Sequence, residues 1–181
     1  MKKSLIAAIV LAGASLSPMA VQAQVIGESP QALDLVDATA AFFGDTLDAD
    51  NSGATFADRF TFTIDETIGT NLDAIVGSVS RASDVGLDIT GLSLYDANDT
   101  LISQGTSIQS GAVDVWRVAG GNLDAGDYYL QVSGNVVSND AASFGGAVML
   151  MPVPEPETYG MMLGGLGILG FLARRRKAKR D

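Results

Sequence analysis

The sequence predicts an all-β domain, a single antiparallel β-sandwich, set between an N-terminal leader and a short C-terminal helix. Three observations carry this. Short runs of alternating apolar residues fill the middle of the chain, and no long segment follows a 3.6-residue period. Gly, Asn, Asp and Ser punctuate these runs at close intervals. Each end holds an apolar stretch flanked by basic residues.

The leader comes first. Lys2 and Lys3 precede the apolar run Leu5 to Leu16, and Val21-Gln22-Ala23 supplies small residues before a cut between Ala23 and Gln24. Residues 1–23 therefore read as a Sec signal peptide, too short for a membrane anchor and excluded from the fold. The next segment, residues 24–151, is long enough for one domain with a modest core. Its expected strands are Ala32 to Val36, Phe56 to Asp65, Leu72 to Ser80, Val85 to Tyr95, Thr100 to Gln104, Val113 to Val118, Asp127 to Ser133 and Ala141 to Met151. Thr39 to Gly44 fits either a strand or a helical turn. Gly91 breaks the alternation of Leu87 and Ile89 with Leu92 and Leu94, as a bulge does. Residues 96–99 and 123–126 are turns. Eight short strands at this spacing indicate a sandwich, with a barrel as the alternative.

Composition narrows the chemistry. The chain has no cysteine, so the fold relies on packing without disulfides. It has no histidine, which removes Ser-His-Asp and Cys-His catalysis and the commonest transition-metal ligand. Within residues 24–151, eighteen acids face only Arg59, Arg81 and Arg117, leaving the domain near −15. That charge argues against nucleic acid or anionic lipid as partner and favours divalent cations.

Two acidic constellations follow. In a strand, Phe56, Asp58, Phe60, Phe62 and Ile64 share one face, and a carboxylate among aromatics is costly unless it is paired or hydrogen-bonded. The expected escape is a strand starting near Arg59, with Asp58 capping a turn through backbone N–H groups. The alternative is a metal or partner site at Asp58. Asp48, Asp50 and Ser52, with Gly53 at the sixth position, match the opening of an EF-hand-type calcium loop, but Arg59 stands where the closing Glu belongs. A solvated Asp-rich turn is expected there, with weak calcium binding as the alternative. No other cofactor is indicated. Trp116 is expected in the core. Tyr128 and Tyr129, being adjacent, point to opposite faces and cannot share a sugar platform.

Residues 152–158 form a Pro-Glu-Pro linker. Tyr159 to Ala173 then carries no charge, and residues 174–181 are a basic tail. Fifteen helical residues span about 22 Å, short of the ~30 Å bilayer core. Thr158 and the stems of Arg174 and Arg175 extend the reach by snorkelling. The helix is therefore expected to span the membrane, with Arg174, Arg175 and Arg176 cytoplasmic and the domain outside. Gly160 and Gly164 form a Gly-x-x-x-Gly pair of the kind that brings helices together.

The order Pro154-Glu155-Pro156, short helix, Arg174-Arg175-Arg176 resembles the PEP-CTERM protein-sorting signal of Gram-negative bacteria. The resemblance implies recognition and cleavage near the motif by an integral-membrane exosortase. It also implies a transient inner-membrane anchor with the domain in the periplasm, and release to the surface or medium. Phe56-Ala57-Asp58-Arg59-Phe60 resembles the motif of the FxDxF-type subfamily, through Phe56, Asp58 and Phe60. The stretches from Leu92 to Leu101 and Leu123 to Gly134 are similar to bacterial pre-peptidase C-terminal domains, which implies a jelly-roll-like module that binds partners.

The expected function is thus that of a non-enzymatic structural or interaction protein. It would meet the Sec machinery, exosortase, the membrane through its C-terminal helix, and extracellular polysaccharide. A glycan- or calcium-binding module is the alternative. A carboxylate-pair glycosidase is the third reading, discriminated by two acids facing each other across a groove.

Overall fold

The computed structural model describes residues 25–27, 29–65, 69–153 and 156–177. The leader, with Ala23 and Gln24, lies outside the described residues. The elements are β1 (Val25–Ile26), β2 (Gln31–Ala32), β3 (Ala40–Leu47), β4 (Thr55–Ile64), β5 (Thr70–Val79), β6 (Leu87–Asp96), β7 (Leu101–Gln104), β8 (Thr106–Gln109), β9 (Val113–Leu123), β10 (Gly126–Val136), β11 (Ala142–Pro152) and helix α1 (Pro156–Lys177).

The strands form two sheets. One runs β1-β4-β10-β6-β7, with β2 also on β4; the other runs β3-β11-β5-β9-β8. Their inner faces share one core, drawn from Phe56, Phe60, Leu94 and Val132 on one side and Phe43, Leu72, Val76 and Val148 on the other. Aromatic rings bridge the layers: Phe43 to Phe60 at 4.9 Å, and Phe56 stacked on Phe144 at 5.3 Å. The sandwich is therefore the observed architecture, not the barrel. Gly134 makes room for this packing, because a Cβ there would collide with the Phe56 ring.

Period-two alternation built the long strands. In β4, Phe56, Asp58, Phe60, Phe62 and Ile64 are all buried, and in β5 Thr70, Leu72, Ala74, Val76 and Ser78 are buried. The β6–β10 register shifts between Ser133↔Gly91 and Gly134↔Ile89, so the irregularity falls at Thr90 and Gly91, where the broken alternation placed it. Residues 97–100 and 124–125 join β6 to β7 and β9 to β10 as turns.

Several expectations are corrected. The strand Ala32 to Val36 is cut to Gln31–Ala32. Leu33 still donates to the Thr61 carbonyl, but Asp37 and Ala38 take positive φ (49° and 56°) and turn the chain into β3. Of the two readings open for Thr39 to Gly44, the strand is the observed one, and it runs on to Leu47. β9 and β10 run on past Val118 and Ser133. β8 was not anticipated, because its four residues are all exposed and show no alternation. Pairing is not wholly antiparallel: β1 and β2 lie parallel to β4 at one edge.

The two edges differ. At one, Gly105 carries the chain from β7 in the first sheet to β8 in the second, its N–H bonded to the Leu92 carbonyl. At the other, β1 and β2 border the first sheet and β3 borders the second.

Candidate functional site

The edge bordered by β1, β2 and β3 holds the unusual chemistry. β4 pairs with β10 without interruption from Thr55↔Asn135 to Ile64↔Gly126, and Asp58 sits opposite Val132 within that ladder. Ten continuous pairs outweigh a local cap, so the strand does not start at Arg59 and Asp58 caps no turn. Its side chain points inward between Phe56 and Phe60 and is 1% exposed. Among the described residues, neither carboxylate oxygen has a geometric hydrogen-bond partner.

The three arginines of the domain are engaged elsewhere. Arg81 pairs with Asp140 at 3.2 Å, and Arg117 grips Asp73 with two donors. Arg59, on the outer face, donates to Asp99 at 2.9 Å and lies over the Tyr129 ring at 4.7 Å. Tyr129 also donates to Asp99 at 2.6 Å; burial and that bond push its hydroxyl up to about 12.

Asp58 does have a charged neighbour. Ala41, Phe43, Asp45 and Leu47 follow one face of β3, and Asp45 approaches Asp58 from the opposite sheet. Burial, then the Asp45 charge, then hydrogen bonding with Asp45, raise the Asp58 carboxyl to about 7. A bond between two carboxyls needs a proton on one of them. Gly27, at φ +115°, closes over Asp58, and any Cβ there would overlap Asp58 Oδ1. The break between β1 and β2 falls at this point.

Asp114 shows the contrast. It is also buried, yet its carboxylate accepts N–H bonds from Ile89 and Gly111, both at 3.1 Å. Asp45 was missed by sequence reasoning. The signal was present in the alternation of residues 41–47, and it becomes readable only once that stretch is assigned as a strand.

The other expected residues are dispersed. Asp48, Asp50 and Ser52 lie exposed between β3 and β4. The loop is clasped to residues 136–139: the Asp50 and Ser52 N–H groups donate to Asn139, and the Ser52 hydroxyl donates to the Val137 carbonyl. Among the described residues, no group of three or more His, Cys, Asp or Glu converges on a metal position. Trp116 packs half-buried on the core and donates from Nε1 to the Ile89 carbonyl at 2.8 Å. Tyr128 stacks on Phe62 at 5.9 Å while Tyr129 stacks on Tyr95 at 5.0 Å, on opposite faces as expected. Beside Arg59, a groove of about 710 Å³ combines Leu33 and Leu35 with Thr63, Asp127 and Tyr128. On the outer face of the second sheet, Phe42, Ile75 and Met149 are exposed.

The C-terminal segment leaves the domain from β11, an interior strand of its sheet, and Val153 N–H still bonds the Gly69 carbonyl. Pro154 and Glu155 lie outside the described residues, and Pro156 opens α1. Exposed Met161, Met162, Leu163, Leu166, Ile168, Leu169 and Phe171 fall on every side of the helix, so it has no apolar stripe suited to docking on the sandwich. Arg175 is exposed near its end. Among the described residues, no helix is long and apolar enough to cross a membrane, so the expected span over residues 159–173 is not established by the structure. The five glycines in that stretch dilute its apolar character.

The chain is thus a β-sandwich followed by an exposed C-terminal helix with a basic end. The family model for the PEP-CTERM protein-sorting motif matches residues 152–177, so the chain carries that motif and is an exosortase-sorted surface protein. No curated protein matches the chain.

Proposed function

We propose that this is a non-enzymatic structural or interaction protein of the cell exterior, delivered by Sec and trimmed by exosortase. The observation that carries the reading is the sorting motif at residues 152–177, hung from the last strand of a folded β domain. In this reading the leader is removed between Ala23 and Gln24. α1 anchors the chain transiently in the inner membrane, with Arg174, Arg175 and Arg176 on the cytoplasmic side and the domain in the periplasm. Snorkelling basic stems compensate for the short apolar length.

An interaction role is supported by two surfaces. The exposed apolar face of Phe42, Ile75 and Met149 suits protein contacts. The groove beside Arg59 mixes hydroxyl and carboxylate groups with aliphatic walls, as a polysaccharide partner requires. The absence of a histidine or cysteine nucleophile system supports the non-enzymatic reading, as does the fact that Asp45 and Asp58 meet inside the sandwich edge rather than across a groove.

The test is mass spectrometry of the chain from membrane and medium of an exosortase-bearing host. Wild type is expected to lose the segment beyond the Pro-Glu-Pro motif. Replacing Pro154 and Glu155 by Ala is expected to leave it full length and membrane-bound. Identical trimming of both would overturn the assignment. A glycan array on the released product tests the polysaccharide partner.

A further inference from the structure

The geometry points to a calcium site formed by Asp58 and Asp45, tying the β1–β2 segment to the edges of both sheets. The site is distinct from the loop at Asp48, Asp50 and Ser52, and it stands independently of the sorting motif.

The inference starts from an unfilled requirement. A carboxylate taken out of water needs a hydrogen-bond donor, a cation or a proton. Asp58 is buried with both oxygens unpartnered among the described residues, and all three arginines of the domain are spent on other acids. The fold meets the same need at Asp114 with two backbone N–H groups. At Asp58 the charged group acting on it is instead a second acid, Asp45, brought from the other sheet. A buried carboxylate and a half-buried one converging repel unless something positive lies between them.

The choice of cation follows from the donors. Both side chains offer only oxygen, and the chain has no histidine or cysteine to select a softer metal. Calcium takes carboxylate, main-chain carbonyl and water oxygens in irregular shells, whereas magnesium demands near-octahedral geometry and keeps its water. Asp45 also accepts the Thr46 N–H on Oδ1 at 2.7 Å, which fixes its carboxylate in the strand edge. The glycine at residue 27 lets main chain approach the carboxylate where any side chain would fill the space. A strongly acidic domain draws divalent cations toward it. Two carboxylates place the site in the weak class typical of extracellular modules, with dissociation constants of about 0.1–1 mM.

The experiment is thermal unfolding of the full-length chain in detergent at fixed pH, with calcium added up to about ten times that dissociation constant against a chelator. Wild type is expected to gain about 4 °C. Asp58→Asn and Asp45→Asn are each expected to abolish the gain, with affinity down at least ~10-fold. Asp48→Asn combined with Asp50→Asn is expected to retain it. Equilibrium dialysis with calcium alone gives a readout that does not depend on variant stability. If Asp58→Asn fails to fold, Asp45→Asn and the wild-type dialysis still decide. No calcium bound by wild type at millimolar concentration would overturn the site. So would a gain that survives in both Asp58→Asn and Asp45→Asn, or one lost in the Asp48/Asp50 double variant alone.

Discussion

Asp58→Asn, measured across pH with calcium chelated, tests the buried pair most directly. The Asp58 carboxyl is raised from 3.8 to about 7, chiefly by burial and then by Asp45. The folded state therefore holds this proton more tightly than the unfolded chain does. Stability from this group is fully present below the unfolded value and is lost as pH rises through about 7. Three units at ~1.4 kcal/mol each give an upper bound of about 4 kcal/mol. The pair lies at a sheet edge, and screening by nearby water brings the expected loss to about 2 kcal/mol. Asp73, Asp96 and Asp99 are shifted the opposite way, by Arg117, by the Thr100 backbone and by the Tyr129 hydroxyl respectively. Their contributions disappear only as pH falls below the ordinary carboxylate range, outside the window. Asp88 is raised by burial and by Asp114, and general repulsion in this acidic domain also grows with pH. Both act equally on wild type and variant, so the difference between the two isolates Asp58. The assay is urea unfolding of the full chain followed by Trp116, the single tryptophan, between pH about 5 and about 8. That range spans two of the three units, so wild type is expected to lose about 1 kcal/mol relative to Asp58→Asn across it. Parallel curves would refute the burial of an ionisable carboxyl at this position.

Gly27→Ala is expected to destabilise by about 3 kcal/mol, since it combines positive-φ strain with overlap on Asp58. Gly53→Ala, also at positive φ but facing open space, is expected to cost about 1 kcal/mol in the same urea assay. Phe60→Ala removes a ring that touches both Phe43 and Phe144 and is expected to cost ~3–5 kcal/mol in the urea midpoint. Tyr129→Phe removes the bond to Asp99 and is expected to cost about 1 kcal/mol, while lowering the protection of the Asp96–Thr100 turn in hydrogen exchange.

Much of this architecture could be read directly because β4, β5, β10 and β11 alternate along their length and β6 does so on either side of Gly91, so one-residue slips would expose their cores. The Gly91 irregularity was readable for the same reason. The two-residue strand β1 carries no period and was invisible, and β2 was placed too far along and made too long. β3 was ambiguous because Gly44, Asp45 and Thr46 interrupt its apolar half. That ambiguity hid Asp45 and, with it, the partner of Asp58. The sorting segment was readable because its parts are contiguous in sequence and need no folding to be recognised. The groove beside Arg59 was not, since it joins residues 33–35, 59–63 and 127–129 from three separate segments.

The unpartnered state of Asp58 bears on why an acid stands there at all. As a purely structural position, the slot opposite Val132 between two phenylalanines is best filled by an apolar side chain, and removing a buried charge commonly stabilises a core. The same fold satisfies Asp114 with backbone donors, so the scaffold is able to shelter a carboxylate where only structure is at stake. At Asp58 it supplies a second carboxylate and a glycine lid instead. That combination raises the cost of the unliganded state and lowers it only when positive charge arrives. A destabilising pair with an access-shaping glycine, at the edge where the N-terminal segment meets both sheets, is the signature of a site whose ligand completes the fold.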